Sequence, residues 1–287
     1  MDRIAEQILT HLFTSLKLTA TQMFILIGPG LILAYILNLV AKNVQRGAVG
    51  ILGSRVYLGT FGWLGTAVHE LGHAALCVVF LHKITDIQLF NPDPDTGTLG
   101  YVSHSYNPKS FYQTVGNFFI GIGPILLGTV VIYFSARFLI SETFFLPFKN
   151  LAINSESFQS IDAVENLLIN IYDSFKLLSL NLFTIQNLKR WQFYVFVYVL
   201  FCVGGSITLS PPDIKGSAMG FGVFFFVLFF VNIVALFFGG LTMRYFAWVT
   251  QYYSVFYAVM VFAILMNGLL LIPLLLLRGG RLVQKSL

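Results

Sequence analysis

The sequence predicts an all-α polytopic membrane protein with about six transmembrane helices and a small β-hairpin after the second helix. Three observations carry that expectation. Apolar residues make up 57% of the 287-residue chain and charged residues 10%, against roughly 25% charged in soluble domains. Uninterrupted apolar runs of about 20 residues, enough to cross a bilayer as helix, lie near 22–41, 56–81, 112–139, 191–209, 218–243 and 250–277. Between the second and third runs, two short stretches of alternating polarity flank the turn cluster NPDPDTG, a hairpin pattern over 84–104.

In chain order, residues 1–21 set Ile4, Ile8, Leu12 and Leu16 at helical spacing between polar residues. That is the pattern of an amphipathic helix lying on a membrane surface, with His11 on its exposed side. No basic segment followed by a short apolar stretch and a cleavage site precedes the first run, so the mature chain is expected to begin at or near Met1. Residues 22–287 read as one membrane-embedded domain with a core at 56–216, since no repeat or linker divides them. The stretch 141–190 holds five of the twelve acidic residues and a helical pattern around 161–180, and reads as an extramembrane loop. The fourth run leads into TLSPPDIKG, where Pro211 and Pro212 are expected to prevent regular helix and Gly216 to loosen the far side.

Several classes are disfavoured. A net charge of +5 without a dense Lys/Arg block argues against nucleic acid and for basic residues near lipid headgroups. The only cysteines, Cys77 and Cys202, lie in apolar runs and supply neither a disulfide framework nor a cysteine-rich metal site. Basic residues of the connecting segments divide eight to eight between the two sides, which leaves orientation undecided.

The chemistry concentrates in the second run, TAVHELGHAALCVV, where His69-Glu70-Leu71-Gly72-His73 is an H-E-x-x-H. Residues four apart share a helix face, so both imidazoles can reach one zinc ion while Glu70 reaches a water beside it. An ionisable residue at mid-membrane costs about 2.5–3.5 kcal/mol even on lenient scales, and a divalent cation would offset three of them. The plain alternative is a buried polar network or a proton path. Cys77 shares the face, but its eight-residue separation from His69 is about 12 Å of helix rise, too far for one ion to bind both histidines and the thiol. A catalytic zinc usually has three protein ligands. Asp213, in the proline-broken segment, is the expected third; its alternative role is to cap the next helix. Glu142, Glu156 and Glu165 are rivals that read better as solvated surface.

These residues resemble the site-2 proteases, a family of intramembrane zinc metalloproteases. The likeness spans most of 56–216: the motif helix, the hairpin with TLGYV, FIGIGPILLG with Gly123-Pro124, and SPPDIKG. It implies Zn2+ held by His69, His73 and Asp213, with Glu70 as catalytic base. The activity implied is hydrolysis of peptide bonds in or near transmembrane segments. The partners implied are a membrane-protein substrate with a locally unwound segment, the lipid bilayer, and room for a regulatory partner; the location implied is a multi-pass protein of the bacterial plasma membrane. The family's aspartate segment usually reads N-x-x-P followed by P-x-D-G, whereas TLSPPDIKG lacks the asparagine and delays the glycine by two residues. The oxyanion donor is therefore unassigned; Asn117 is a candidate whose alternative is inter-helix hydrogen bonding. The hairpin edge is expected to clamp unwound substrate by strand addition, the alternative being a connector with Asp93 and Asp95 capping its turn and His104 facing solvent. Two other function classes fit the residues: a transporter or channel with a metal or proton path, and a silent zinc scaffold that tolerates Glu70→Gln.

Overall fold

The computed structural model describes residues 2–93, 95, 97–149, 161–237 and 241–285. Helix α1 (Asp2–Leu52) is followed by a short α2 (Ser54–Tyr57), a π-helical turn (Leu58–Gly62) and the motif helix α3 (Trp63–Val79). A hairpin of β1 (Lys83–Gln88) and β2 (Tyr101–Ser105) comes next, then α4 (Phe111–Gly121) and α5 (Gly123–Leu139). The remainder is α6 (Leu146–Lys149), α7 (Ile161–Leu182), α8 (Ile185–Leu188), α9 (Trp191–Gly204), α10 (Pro211–Phe237) and α11 (Leu241–Lys285).

Among the described residues, three helical stretches are long and apolar enough to cross a membrane: Arg3–Leu52, Pro211–Phe237 and Val255–Leu277. A fourth is present if α4 and α5, bent by 57° where they meet, count as one span. All six apolar runs lie mostly on helix, yet not all form straight spans. Helix α9 has 14 residues, about 21 Å at 1.5 Å per residue, short of a hydrocarbon core of about 30 Å. Helix α3 has 17 and is preceded by the π turn.

Helix α1 runs through position 21 without a break and even carries Pro29 inside it. Its polar stripe meets a neighbour. Ser15, Thr19 and Gln22 are buried, and Asn232 Nδ2 of α10 donates to Thr19 Oγ1 (2.9 Å) and Gln22 Oε1 (2.8 Å). His11 is part-buried instead of exposed: its Nε2–H donates to the Ile233 carbonyl at 3.0 Å and its ring lies 4.4 Å from that of Phe237. Part of the 141–190 stretch likewise enters the core, because the apolar face of α7 packs inward. Phe144, Phe145, Phe175, Leu178 and Leu182 join Phe196, Leu200 and Phe262 there.

Two backbone features set the site's frame. A Cβ placed on Gly72 would stand 2.7 Å from the carbonyl carbon of Gly123, so α3 and α5 cross with their main chains in contact, an approach only small residues allow. At the end of α3, His82 N–H donates to Cys77 O (2.8 Å) and Leu81 N–H to Val78 O (3.2 Å), the paired bonds of a Schellman cap. The left-handed position of that cap is held by Leu81, with φ 57°, a conformation costing an L residue about 1–2 kcal/mol.

The hairpin is antiparallel, pairing Gln88 with Tyr101, Ile87 with Val102 and Ile84 with His104, with an irregularity between Ile84 and Asp86. In its turn Asp93 Oδ1 accepts from Asp95 N–H at 2.9 Å.

Candidate metal centre

Helix α3 carries His69 and His73 one turn apart, their ring centroids 5.1 Å from each other. Each ring is oriented from behind by a main-chain carbonyl. His69 Nδ1 lies 2.9 Å from Ser206 O, just past the end of α9. His73 Nδ1 lies 2.8 Å from Ile120 O, in the last turn of α4. Pro124, four residues after Ile120, has no N–H, so the regular helical i+4 donor to that carbonyl is missing. A carbonyl only accepts, so both Nδ1 atoms carry hydrogen, and in a neutral imidazole Nε2 is then the bare donor atom. Metal-binding histidines are held by such outer partners.

Asp213 faces both bare nitrogens. Its Oδ1 is 3.3 Å from His73 Nε2, and its Oδ2 is 3.8 Å from His69 Nε2. One ligand atom from each of His69, His73 and Asp213 falls within 4.8 Å of the others, and this is the one such cluster of three or more among the described residues. Two imidazole nitrogens and a carboxylate oxygen are a donor set suited to zinc. The side chains are 15%, 10% and 12% exposed, so the cluster is largely sheltered from water.

The local structure at Asp213 corrects one expectation. Pro211 and Pro212 do not prevent helix; they begin it, because α10 starts at Pro211, where the missing N–H groups have no helical partner to lose. Ser210 and Asp213 form a reciprocal capping box: Ser210 N–H donates to Asp213 Oδ2 (2.8 Å) and Asp213 N–H to Ser210 Oγ (3.3 Å). Cap and candidate ligand are therefore the same carboxylate.

Glu70 is buried, at 7% exposure, on the wall of a cavity of about 490 Å³ that also contains His69, His73, Asp213, Asn117 and His104. A second cavity, about 240 Å³ and lined by Phe61, Thr66 and Ser206, shares His69, Glu70, Leu99 and Gly100 with the first. The hairpin backbone at Gly100 approaches closely: a Cβ there would be 2.7 Å from Gln88 O and 3.0 Å from Glu70 Cγ. Main chain without a side chain thus borders the carboxylate. Asn117, 8% exposed, makes no side-chain hydrogen bond among the described residues.

His104 does not simply face solvent as the sequence suggests; it lines the larger cavity. Its Nδ1 lies 3.0 Å from Nδ1 of His82, a buried residue that sequence reasoning did not single out. Burial, together with the neighbouring His82 and His73 rings, holds the His104 imidazole below its ordinary value.

The rival carboxylates are elsewhere. Glu142 pairs with Arg137 at 3.8 Å and is 79% exposed, Glu165 is exposed, and Glu156 lies outside the described residues. Cys77 is a fully buried free thiol. Two signals for the supporting groups were present in the sequence: the Ser-x-x-Asp pattern of a capping box in SPPD, and a proline placed to free the Ile120 carbonyl. The Ser206 carbonyl had none. Compared with protein-family models, curated proteins and solved structures, the chain matches none.

Proposed function

We propose that the protein is an intramembrane zinc metalloprotease that hydrolyses peptide bonds in or near transmembrane segments of membrane-protein substrates. The observation that carries this reading is the convergence of His69, His73 and Asp213 within 4.8 Å, with Glu70 on the wall of the same cavity. Four residues from α3 and α10, separated by 140 positions in sequence, supply three ligand atoms and a base.

His69, His73 and Asp213 would hold the metal. When bound, zinc supplies a Lewis acid that polarises a carbonyl and brings a water's pKa down towards about 7. Glu70 accepts the proton of the attacking water and delivers it to the leaving amine. Asn117, its amide not otherwise engaged, donates to the carbonyl oxygen as negative charge develops. A transmembrane helix must unwind before attack, and its freed backbone groups need partners in the absence of water. The hairpin main chain beside Glu70 offers them by strand addition. In this reading α3, the α4–α5 pair and α9 sit inside the bilayer among the longer helices. They complete six membrane-embedded segments in one domain, and the resemblance points to a bacterial plasma membrane.

The test compares purified wild type with Glu70→Gln, measuring zinc per chain and cleavage of a reporter with a glycine-containing transmembrane segment. Both proteins should bind about one zinc, and only wild type should cut. Equal cleavage by the two would sink the mechanism in which Glu70 is the base. Zinc in both with no cleavage by wild type would favour the silent scaffold. Metal or proton flux into proteoliposomes, in place of cleavage, would favour the transporter.

A further inference from the structure

The second histidine pair has an order of its own, set by what lies behind it. His82 Nε2 is 2.8 Å from the main-chain carbonyl of Gln113, which can only accept, so His82 carries its hydrogen on Nε2. Neutral His82 then presents a lone pair at Nδ1, and the 3.0 Å contact with His104 Nδ1 is an N–H of His104 donating to His82. His104 Nε2 is left as a bare acceptor on a ring that lines the metal cavity.

The supports behind this pair are rigid. His82 is 6% exposed and its ring stacks on Tyr106, centroids 5.0 Å apart and planes 11° from parallel. The Schellman cap at Leu81 fixes the main chain that carries His82, whose own N–H is one of the two cap donors. Gln113 is tied on both sides, its Oε1 accepting from Asn107 N–H (2.6 Å) and its Nε2 donating to Leu81 O (2.9 Å). Because the chain of hydrogen bonds ends at a carbonyl, it has no onward proton acceptor. It fixes a tautomer and does not conduct protons.

We propose that His104 is a substrate-contacting residue whose Nε2 accepts a hydrogen bond from a main-chain N–H of the unwound substrate beside the scissile bond, and that His82 is the positioning residue that holds it in that tautomer. The inference rests on the protease reading and deepens it. An unwound segment brings donors into a cavity whose unengaged side-chain acceptors, among the described residues, include Glu70, Asp213 Oδ1, the Asn117 amide oxygen and this nitrogen, the one of them carried by the hairpin. A neutral acceptor suits a neutral amide N–H better than another carboxylate would, since it adds no charge to a site already holding two acids.

The test uses the full chain in lipid bilayers. Nitrogen-15 solid-state NMR of histidine-labelled wild type, assigned with His82→Phe and His104→Phe, should give opposite tautomers, hydrogen on Nε2 of His82 and on Nδ1 of His104. In the cleavage assay, His104→Phe should keep about one zinc per chain and lose about tenfold to a hundredfold in kcat/KM. His104→Gln, whose amide oxygen can replace the Nε2 acceptor, should recover most of that loss. His82→Phe, which keeps the stack on Tyr106, should lose about threefold to tenfold with zinc unchanged. Hydrogen on Nε2 of His104 would overturn the inference, as would His104→Phe cleaving like wild type, and both leave the protease reading standing. Wild type that cuts no reporter takes both down.

Discussion

Asp213 is the residue at which an observed cap and a proposed metal-ligand role coincide, and its variants can separate them. Oδ2 closes the capping box with Ser210 while Oδ1 faces His73. Asp213→Asn keeps an oxygen for the cap and removes the charge, so it should fold with stability within about 1 kcal/mol of wild type and bind zinc at least tenfold more weakly. Asp213→Ala should lose the zinc and a further ~1 kcal/mol of stability with the cap. Zinc stoichiometry and thermal midpoints of the two variants check both statements. His69, Glu70 and His73 were legible in the sequence because four-residue spacing is a local property of any helix. Asp213 was legible only in part: Pro211 and Pro212 marked an interruption between apolar runs, but prolines that break a helix interior are well placed at its start, and here they begin α10. His82 and the Ser206 carbonyl were not legible, because their partners are 22 and 137 positions away and no periodicity links them.

At the scale of elements, the crossing of α3 and α5 positions the motif helix. Gly72, one of the two unspecified positions of H-E-x-x-H, is held to glycine here by the Gly123 main chain. Gly72→Ala should push the helices apart at a cost of about 1–3 kcal/mol and lower zinc occupancy, although no ligand has been touched. A thermal shift without loss of zinc would mean that the crossing does not govern the site. The hairpin was readable from alternation around a turn cluster. The 57° bend between α4 and α5 was not, because an apolar run records hydrophobicity and not direction.

For the molecule as a whole, composition pointed to helices long and apolar enough to cross a membrane, and three such stretches are present among the described residues, while the number of spans depends on how far each apolar run remains a straight helix. Metal should act as a global fastener, since its ligands join α3 to α10. Chelation of a zinc-loaded preparation should lower the thermal midpoint reversibly, by RT ln(1 + [L]/Kd) in free energy, about 2.7 kcal/mol at a hundredfold excess over Kd. The same treatment of Asp213→Ala should change little. A midpoint unmoved by chelation in wild type would mean that the two helices are joined firmly enough without it.

Helix α10 also has a mechanical aspect. Asn232 is fastened to α1 near one end, and Asp213 stands at the other, 19 residues away, or about 28 Å along the axis. Such a rod is a lever arm: a tilt of about two degrees about the Asn232 fastening sweeps Asp213 through about 1 Å, roughly half a metal–ligand bond of 2.0–2.2 Å. Against that leverage α10 is clamped beside the site, where a Cβ on Gly220 would run into the Phe118 main chain of α4, so the carboxylate keeps its place only while that crossing holds.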